Sequence, residues 1–477
     1  MGGINIKSKP NILFFFTDQQ RFDTVGCYGQ KLNITPHLDR MASEGVRFDK
    51  AFTPQPVCGP ARSCIQTGKY ATQTGCFRND IALPLNEKTI AHYIREAGYD
   101  TGYIGKWHLA STLLKDDYKK KPVPTERRGG WLDYWMAADV LEFTSTGSSG
   151  YLFDKDMNKV EFKKYRADAL TDFALDYLEN KRNREKPFFL FISYLEPHHQ
   201  NTTHRYEGPP GSRDKFNNYE PPEDLKGTEG DWRDSYPDYL GCCNNLDMNL
   251  GRILDKLSEL GIREETLVIY ASDHGSHFKT RNPEYKRSCH DSSIRIPLII
   301  KGPGFTGGQS VNELVSLMDL PPTFLKAAQL GKPAYMPGRP LQDLMEGGTE
   351  DWPKEVFVQI SESQVGRAIR TDAWKYSVKA VDKHGWLHKH SDVYIEEFLY
   401  DLENDPYEKT NLVHSPAHVG IRKSLSEMLK KRLIEAGEPE ARILPCTPSN
   451  ISVYLRKKPL KILEWLIRRQ KSGRQDT

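Results

Sequence analysis

Four apolar runs in this chain each stop at ionisable side chains, and that pattern narrows the possible folds more than any other feature. NILFFF is followed within two residues by Asp18 and Gln19, DTGYIG runs into Lys106 and His108, PFFLFISYLEP into His198 and His199, and TLVIYAS into Asp273 and His274. Short bounded runs rich in β-branched and aromatic residues read as strands buried on both faces. Helical patterns lie between strand runs: TPHLDRMASEG has Thr35 as cap, Pro36 in the first turn and Gly45 at its end, and TIAHYIREAGY closes at Gly98. Alternation of this kind predicts an α/β sheet layered by helices. In open α/β sheets ligands sit beyond the carboxyl ends of the strands, so groups far apart in sequence meet there. One such residue alone reads as a helix cap or a surface charge. Four strands ending this way predict a site.

The stretch PVCGPARSCIQTGKY, residues 56–70, adds a thiol and a cation in one turn. Most cysteines are small buried hydrophobes, and that is one reading of Cys58. Cys58 and Cys64 do not read as a zinc pair, because they stand six positions apart and no CxxC occurs in the chain. A reactive thiolate is the other reading, since Arg62 nearby would lower the thiol pKa and Pro60 fixes the local backbone.

With 477 residues, 38% of them hydrophobic, the chain supports a large core and more than one folding unit. The first unit is expected over 1–350. A second begins near 351, where EVFVQISES, AIRTDAWKYSV and EFLYDL read as strands before the helix HVGIRKSLSEMLKKRLIEAG, which predicts a small antiparallel sheet with one helix over 351–445. Residues 446–477 form a basic tail; from Arg456 onward it holds eight Lys/Arg against two Asp/Glu, while the whole chain carries only +3. The tail is expected to make a subunit contact in a homo-oligomer or to dock as a helix on its own domain, with an amphipathic membrane-surface helix the lesser reading, and nothing points to nucleic acid. Eight cysteines without framework spacing, and an N-terminal apolar run too short for a signal or a span, lead to a cytoplasmic expectation. Residues 111–165 and 200–235 read as polar surface insertions over the site, and Trp131, Tyr134 and Trp135 as a platform for a sugar ring or a choline ammonium, or else as core.

Taken together, Cys58-Gly-Pro-Ala-Arg62 with Thr67-Gly68, Asp18, GYIGKWHL (102–109), EPHH (196–199), SDHG (272–275), YKRSCHDSSIRIPLII (285–300) and YDLENDPYEKTNL (400–412) resemble the type I sulfatases of the alkaline phosphatase superfamily, in the family's order over nearly the whole chain. Ala61 stands where the family usually has Ser, Gln19 where many members have a second Asp, and His274 where many have Asn. The resemblance implies a large mixed sheet sandwiched by helices, with a smaller C-terminal α+β unit. It implies that Cys58 is oxidised to formylglycine by a formylglycine-generating or anaerobic sulfatase-maturating enzyme. One hydroxyl of the hydrated aldehyde would attack sulfur and displace the alcohol, and the other would collapse to the aldehyde and expel sulfate.

The resemblance also assigns roles. Asp18, Gln19, Cys58, Asp273 and His274 would hold a divalent metal, calcium first, with magnesium or manganese open because one carboxylate is missing. Arg62 would hold the formylglycine hydroxyl, Lys106 and Lys286 would bind sulfate oxygens, and Asn79 would touch the sulfate. His108 would help deprotonate the diol and His198 would protonate the leaving alcohol. Such a set is needed because one charge pair contributes about 4 kcal/mol at an effective dielectric near 20, against barrier reductions of about 8 to 23 kcal/mol. The expected activity is hydrolysis of a small carbohydrate sulfate. Choline sulfatase, a phosphonate monoester or phosphodiester hydrolase, and a non-catalytic binding protein are the alternatives, with the Lys106 and His108 pair favouring the sulfatase.

Overall fold

The computed structural model describes residues 9–113 and 116–450. Its centre is the strand Asn11–Thr17, buried along its whole length. Phe188–Ser193 and Thr266–Ser272 flank it, both parallel. Asp100–Lys106 pairs in parallel with Phe188–Ser193, and Tyr134–Ala138 with Asp100–Lys106. Four of these five strands are the runs that end in ionisable residues, so those residues emerge along one edge of the sheet. Both faces of the strands are covered, which is why the sequence shows apolar runs and no alternation. Phe14 and Phe16 enter one core with Phe191 and Trp107; Leu13 and Phe15 enter the other with Ile192, Leu246 and Leu250.

The sheet is mixed and has eleven strands. Leu298–Lys301 runs antiparallel beside Thr266–Ser272, and Val46–Phe52 antiparallel beside Leu298–Lys301, so Val46–Phe52 points the same way as the centre and delivers Cys58 to the same edge. Gln309–Ser316 closes that side in parallel, and the two-residue strand Arg295–Ile296 also pairs with Val46–Phe52. On the other side the antiparallel hairpin Gly150–Asp154 and Lys159–Phe162 completes the sheet.

The expectation of a surface insertion over 111–165 is therefore corrected, since this stretch supplies three strands of the sheet. Trp131 and Trp135 are fully buried around Tyr103, and Tyr134 packs on Tyr177, so these rings are core and offer no platform to a ligand. A parallel strand near a sheet's end still needs apolar cover, and these rings provide it. The stretch 200–235 includes a small core of its own, with Tyr206, Phe216 and Trp232 buried.

A second sheet follows. Glu355–Ile360, Val365–Thr371, Trp374–Ala380 and Val393–Asp401 are antiparallel in chain order, and the short Arg442–Leu444 adds a parallel fifth strand. The helix Val419–Glu435 covers it through Leu425, Leu429 and Leu433. The basic tail beyond residue 450, with the subunit contact expected of it, lies outside the described residues. Among the described residues no helix is long and apolar enough to cross a membrane.

Candidate active site

Asp18 follows the central strand, and Asp273 and His274 follow its parallel neighbour Thr266–Ser272. Cys58 is the first residue of the helix Cys58–Thr67, and Arg62 lies one turn further along the same face. Ligand atoms of Asp18, Cys58, Asp273 and His274 all lie within 4.8 Å of one another, and all four side chains are buried. Cys58 Sγ is 3.3 Å from Asp18 Oδ1 and 3.3 Å from His274 Nε2.

The donor set suits a divalent cation. Two carboxylates supply hard oxygens, and His274 Nδ1 lies 2.9 Å from the Gly275 carbonyl, so Nδ1 carries the proton and Nε2 faces the cluster as an acceptor. Gln19 has its amide nitrogen held by Tyr206 Oη (2.8 Å) and Ser276 Oγ (3.3 Å), while its buried Oε1 has no hydrogen-bond partner. A buried carbonyl oxygen left without a donor is what a bound cation would satisfy. Gln19 is placed there by its own N–H, which donates to Asp273 Oδ1 at 3.0 Å.

Three buried cations surround the acidic pair. Arg62 reaches Asp18 Oδ2 (3.1 Å) and Asp273 Oδ2 (3.3 Å), and donates to the Lys106 carbonyl and Ser193 Oγ. Lys106 Nζ is 2.8 Å from Asp18 Oδ2 and 3.4 Å from Glu142 Oε2. Lys286 directs its ammonium at Cys58 Sγ (2.8 Å), His198 Nε2 (3.0 Å) and His274 Nε2 (3.1 Å), so each of its three protons has an acceptor. Burial works against ionisation of Asp18, yet the cations Lys106, Lys286 and Arg62 hold it well below the usual carboxylate range. Burial and the adjacent Asp18 charge push Asp273 the other way.

The thiolate reading of Cys58 is overturned here. Burial, then Asp18, pushes the Cys58 thiol up to about 12 against the pull of Lys106 and Lys286, while the hydrogen bonds of the Arg62 guanidinium go to the carboxylates. As cysteine, this residue is a protonated thiol at neutral pH and a poor nucleophile. His108, His198 and His274 are all depressed well below the ordinary imidazole value, first by burial and then by the neighbouring cations, so all three are neutral at pH 7.

Cys58, Gln19, Asn79, His108, His198 and Lys286 line a cavity of about 240 Å³. Of the other expected residues, Asp18, Arg62, Lys106, Asp273 and His274 do not line it and are buried in the cluster around Cys58 and Asp18. His108 sits in a left-handed conformation (φ 59°), its N–H donating to the Asp139 carbonyl and its Nδ1 buried without a partner. Asp139 holds this turn by accepting the N–H groups of Leu109, Ala110 and Ser111. Asn79 Oδ1 accepts the Gly59 N–H at 2.9 Å, beside Cys58, and so orients the helix start while lining the cavity. Larger clefts of about 530 and 850 Å³ lie elsewhere, one beside Arg295 and Phe22 and one beside Tyr165 and Pro209. The buried ligand cluster adjoins the small cavity, so the chemistry is assigned there. Sequence reasoning missed Glu142, Ser193 and Asp139, which carry no motif and are recognisable only once the strand ends converge.

A small cavity beside buried cations and a cluster that could hold a metal ion suits a compact anionic group, the pattern of a hydrolase of anionic esters on an α/β scaffold. Comparison with known proteins sharpens that class. Residues 10–330 match the family model described as Sulfatase, and residues 284–435 match that described as N-sulphoglucosamine sulphohydrolase, C-terminal. An ulvan-active sulfatase of Formosa agariphila is 31% identical over 446 residues, 90% of this chain and 82% of that one. The uncharacterised sulfatase YidJ of Escherichia coli is 31% identical over 468 residues, 90% of this chain and 88% of that protein. A crystal structure of the protein named yidJ in Bacteroides fragilis superposes with a TM-score of 0.79 at 24% identity, covering 90% of this chain and 97% of that one. The chain belongs to the type I sulfatase family of the alkaline phosphatase superfamily, and it is a sulfuric ester hydrolase.

Proposed function

We propose that the protein hydrolyses a small carbohydrate sulfate to the alcohol and inorganic sulfate, using Cys58 after its conversion to formylglycine and a divalent cation, calcium first, at Asp18, Gln19, Asp273, His274 and the modified residue 58. The observation that carries this reading is the place of Cys58: at the first turn of a buried helix, 3.3 Å from Asp18 and from His274, facing the cavity. There Sγ marks the position that a formylglycine hydroxyl would take. When bound, the cation would polarise that hydroxyl and a sulfate oxygen. The carbohydrate part is supported by the relative named for activity on ulvan and by the sulphoglucosamine name of the C-terminal family match.

The chain's own groups divide the remaining work. Arg62 and Lys106 bring positive charge beneath the nucleophile, Lys286 meets the sulfate oxygens from the cavity side, and Asn79 borders them. His108, neutral and with Nδ1 unpartnered, can accept the proton that the nucleophile gives up. His198 accepts from Lys286 at 3.0 Å in the resting site; with substrate in place it would take a proton from water and hand it to the leaving alcohol, while Lys286 keeps its charge for the sulfate oxygens. Residues 1–350 carry the chemistry in this reading, and 351–445 complete the mouth of the cavity. The protein partner is a formylglycine-generating or anaerobic maturating enzyme. Eight cysteines without a disulfide suit the reducing cytoplasm.

Two measurements test the proposal. A mass spectrum of the Cys58 peptide from active protein is expected to show a loss of about 18 Da relative to cysteine. kcat/KM is expected to be far higher for a sugar sulfate than for phenyl phosphonate or choline sulfate. Full activity with unmodified Cys58 overturns the nucleophile; a preference for the phosphonate overturns the substrate class.

A further inference from the structure

Trp386 belongs to the second sheet, in the loop between Trp374–Ala380 and Val393–Asp401, yet its indole lines the catalytic cavity. Gly385 makes that reach possible. Its carbonyl accepts the Glu362 N–H at 3.1 Å, and a Cβ added at 385 would lie 2.8 Å from backbone atoms of Glu362 and Gln364, so only glycine permits the approach. Glu362 fixes the rest of the mouth: it accepts the Asn79 N–H at 2.7 Å and pairs with Arg287 at 2.5 Å. The Arg78 guanidinium stands 5.5 Å from the centre of the Trp386 ring, where cation-π attraction steadies the half-buried side chain.

Resting on the carbohydrate reading above, we propose that Trp386 determines specificity for the alcohol, as a platform on which the pyranose ring bearing the sulfate lays its C–H face. Three features of the cavity lead to it. Its volume of about 240 Å³ falls below the roughly 300–1,000 Å³ of sites for drug-sized ligands, which leaves room for a sulfate and about one ring. The cations of the floor are directed at the sulfate end, and at the mouth Arg287 is committed to Glu284 (2.7 Å) and Glu362, so beside the hydroxyl-binding Asn201 and Glu284 the alcohol still needs an apolar face to rest on. The other large ring in the lining, Tyr285, is already covered, by His199 stacked at 4.4 Å and by Lys279 at 4.7 Å. Among the described residues no ring stacks on Trp386, and with the Arg78 guanidinium toward one face the indole keeps the other for a ligand.

The test compares wild type, Trp386→Ala and Trp386→Phe on a panel of defined monosaccharide sulfates and on acyclic alkyl sulfates, with rates normalised to the formylglycine content of each preparation. On the best pyranose sulfate, Trp386→Ala is expected to lose roughly ten- to a hundredfold in kcat/KM, mostly through KM, and Trp386→Phe to recover most of it. Inhibition by inorganic sulfate, which reads the anion end alone, is expected to stay within about twofold in both variants. A Trp386→Ala enzyme within about twofold of wild type on the sugar sulfate overturns the platform alone. So does a sulfate inhibition constant that weakens as much as KM, since the residue would then act through the general shape of the site. A wild-type enzyme that prefers acyclic sulfates overturns the carbohydrate reading, and the platform with it.

Discussion

Asp18 serves two kinds of partner at once. Oδ2 is shared by Arg62 and Lys106, while Oδ1 faces Cys58 and His274 in the cluster that suits a cation. Replacing it with the isosteric Asn removes the charge that balances two buried cations, and breaking one side of a buried pair typically costs about 3–5 kcal/mol. We expect Asp18→Asn to unfold at correspondingly lower denaturant. We also expect calcium to raise the thermal midpoint of wild type, as any ligand of the native state must, and to leave the variant unmoved. An equal rise in both would show that the cation binds elsewhere. The neighbouring Cys58 shows what can be read at this scale. That Arg62 lies one turn beyond the thiol was legible in the spacing, but that its guanidinium turns toward Asp18 and Asp273 was not, because those partners arrive from strands 44 and 211 residues away.

At the level of elements, the helix Pro36–Glu44 shows where local rules stop. Thr35 occupies the cap position that the sequence suggests, but its hydroxyl accepts the Gly26 N–H and makes no cap bond. The free N–H groups of His37 and Leu38 go to the carboxylate of Asp247, carried by the long helix Trp232–Glu259. Burial pushes the Asp247 carboxyl up to about 7 against the pull of those two donors. Its native value therefore lies above the unfolded one, so the folded state holds the extra proton between about pH 4 and 7, and stability falls as pH rises through that window. At about 1.36 kcal/mol per unit the loss between pH 5 and 8 is about 2–3 kcal/mol. Asp247→Asn cannot titrate and keeps an oxygen for one donor. We expect urea unfolding at pH 5 and 8 to show a pH slope smaller by about that amount in the variant; identical slopes would place the titration in another group. The strands were easier to read than this cap, since a buried parallel strand writes its environment into consecutive residues, whereas a cap supplied from another helix leaves no local trace. The strand Tyr134–Ala138 was missed for a related reason: it sits in a segment rich in glycine and charge, and only the pairings with Asp100–Lys106 and Gly150–Asp154 reveal it.

Across the whole molecule, the central strands of each sheet were legible from their own pattern, but the contacts that join the sheets were not, because they come from residues with no periodicity. Phe52, Ile294 and Leu314 of the large unit share an apolar cluster with Val356, Val358 and Ile360 of the second. Beside it, the fully buried Lys375 places its ammonium between Asp291 and Glu408, while the Asp291 N–H donates to Glu408 Oε2 at 2.7 Å and Arg370 approaches Asp291 at 3.4 Å. Burial opposes the charge on Asp291, but Lys375 and Arg370 hold that carboxyl far down, whereas Glu408 is pushed up by burial. Lys375→Met would leave two carboxylates side by side in a dry interface, at a cost of about 3–5 kcal/mol. Protonation of one carboxylate relieves that repulsion, so the cost must be larger at pH 8 than at pH 5. If the second sheet is a structural part of the catalytic unit, wild type should unfold in one calorimetric transition, and the variant in one transition at a lower temperature, with the greater drop at pH 8. Two separated transitions in wild type would mean that the sheets fold independently, and then Trp386 and Glu362 could not be held at the mouth of the cavity by the stability of the catalytic sheet.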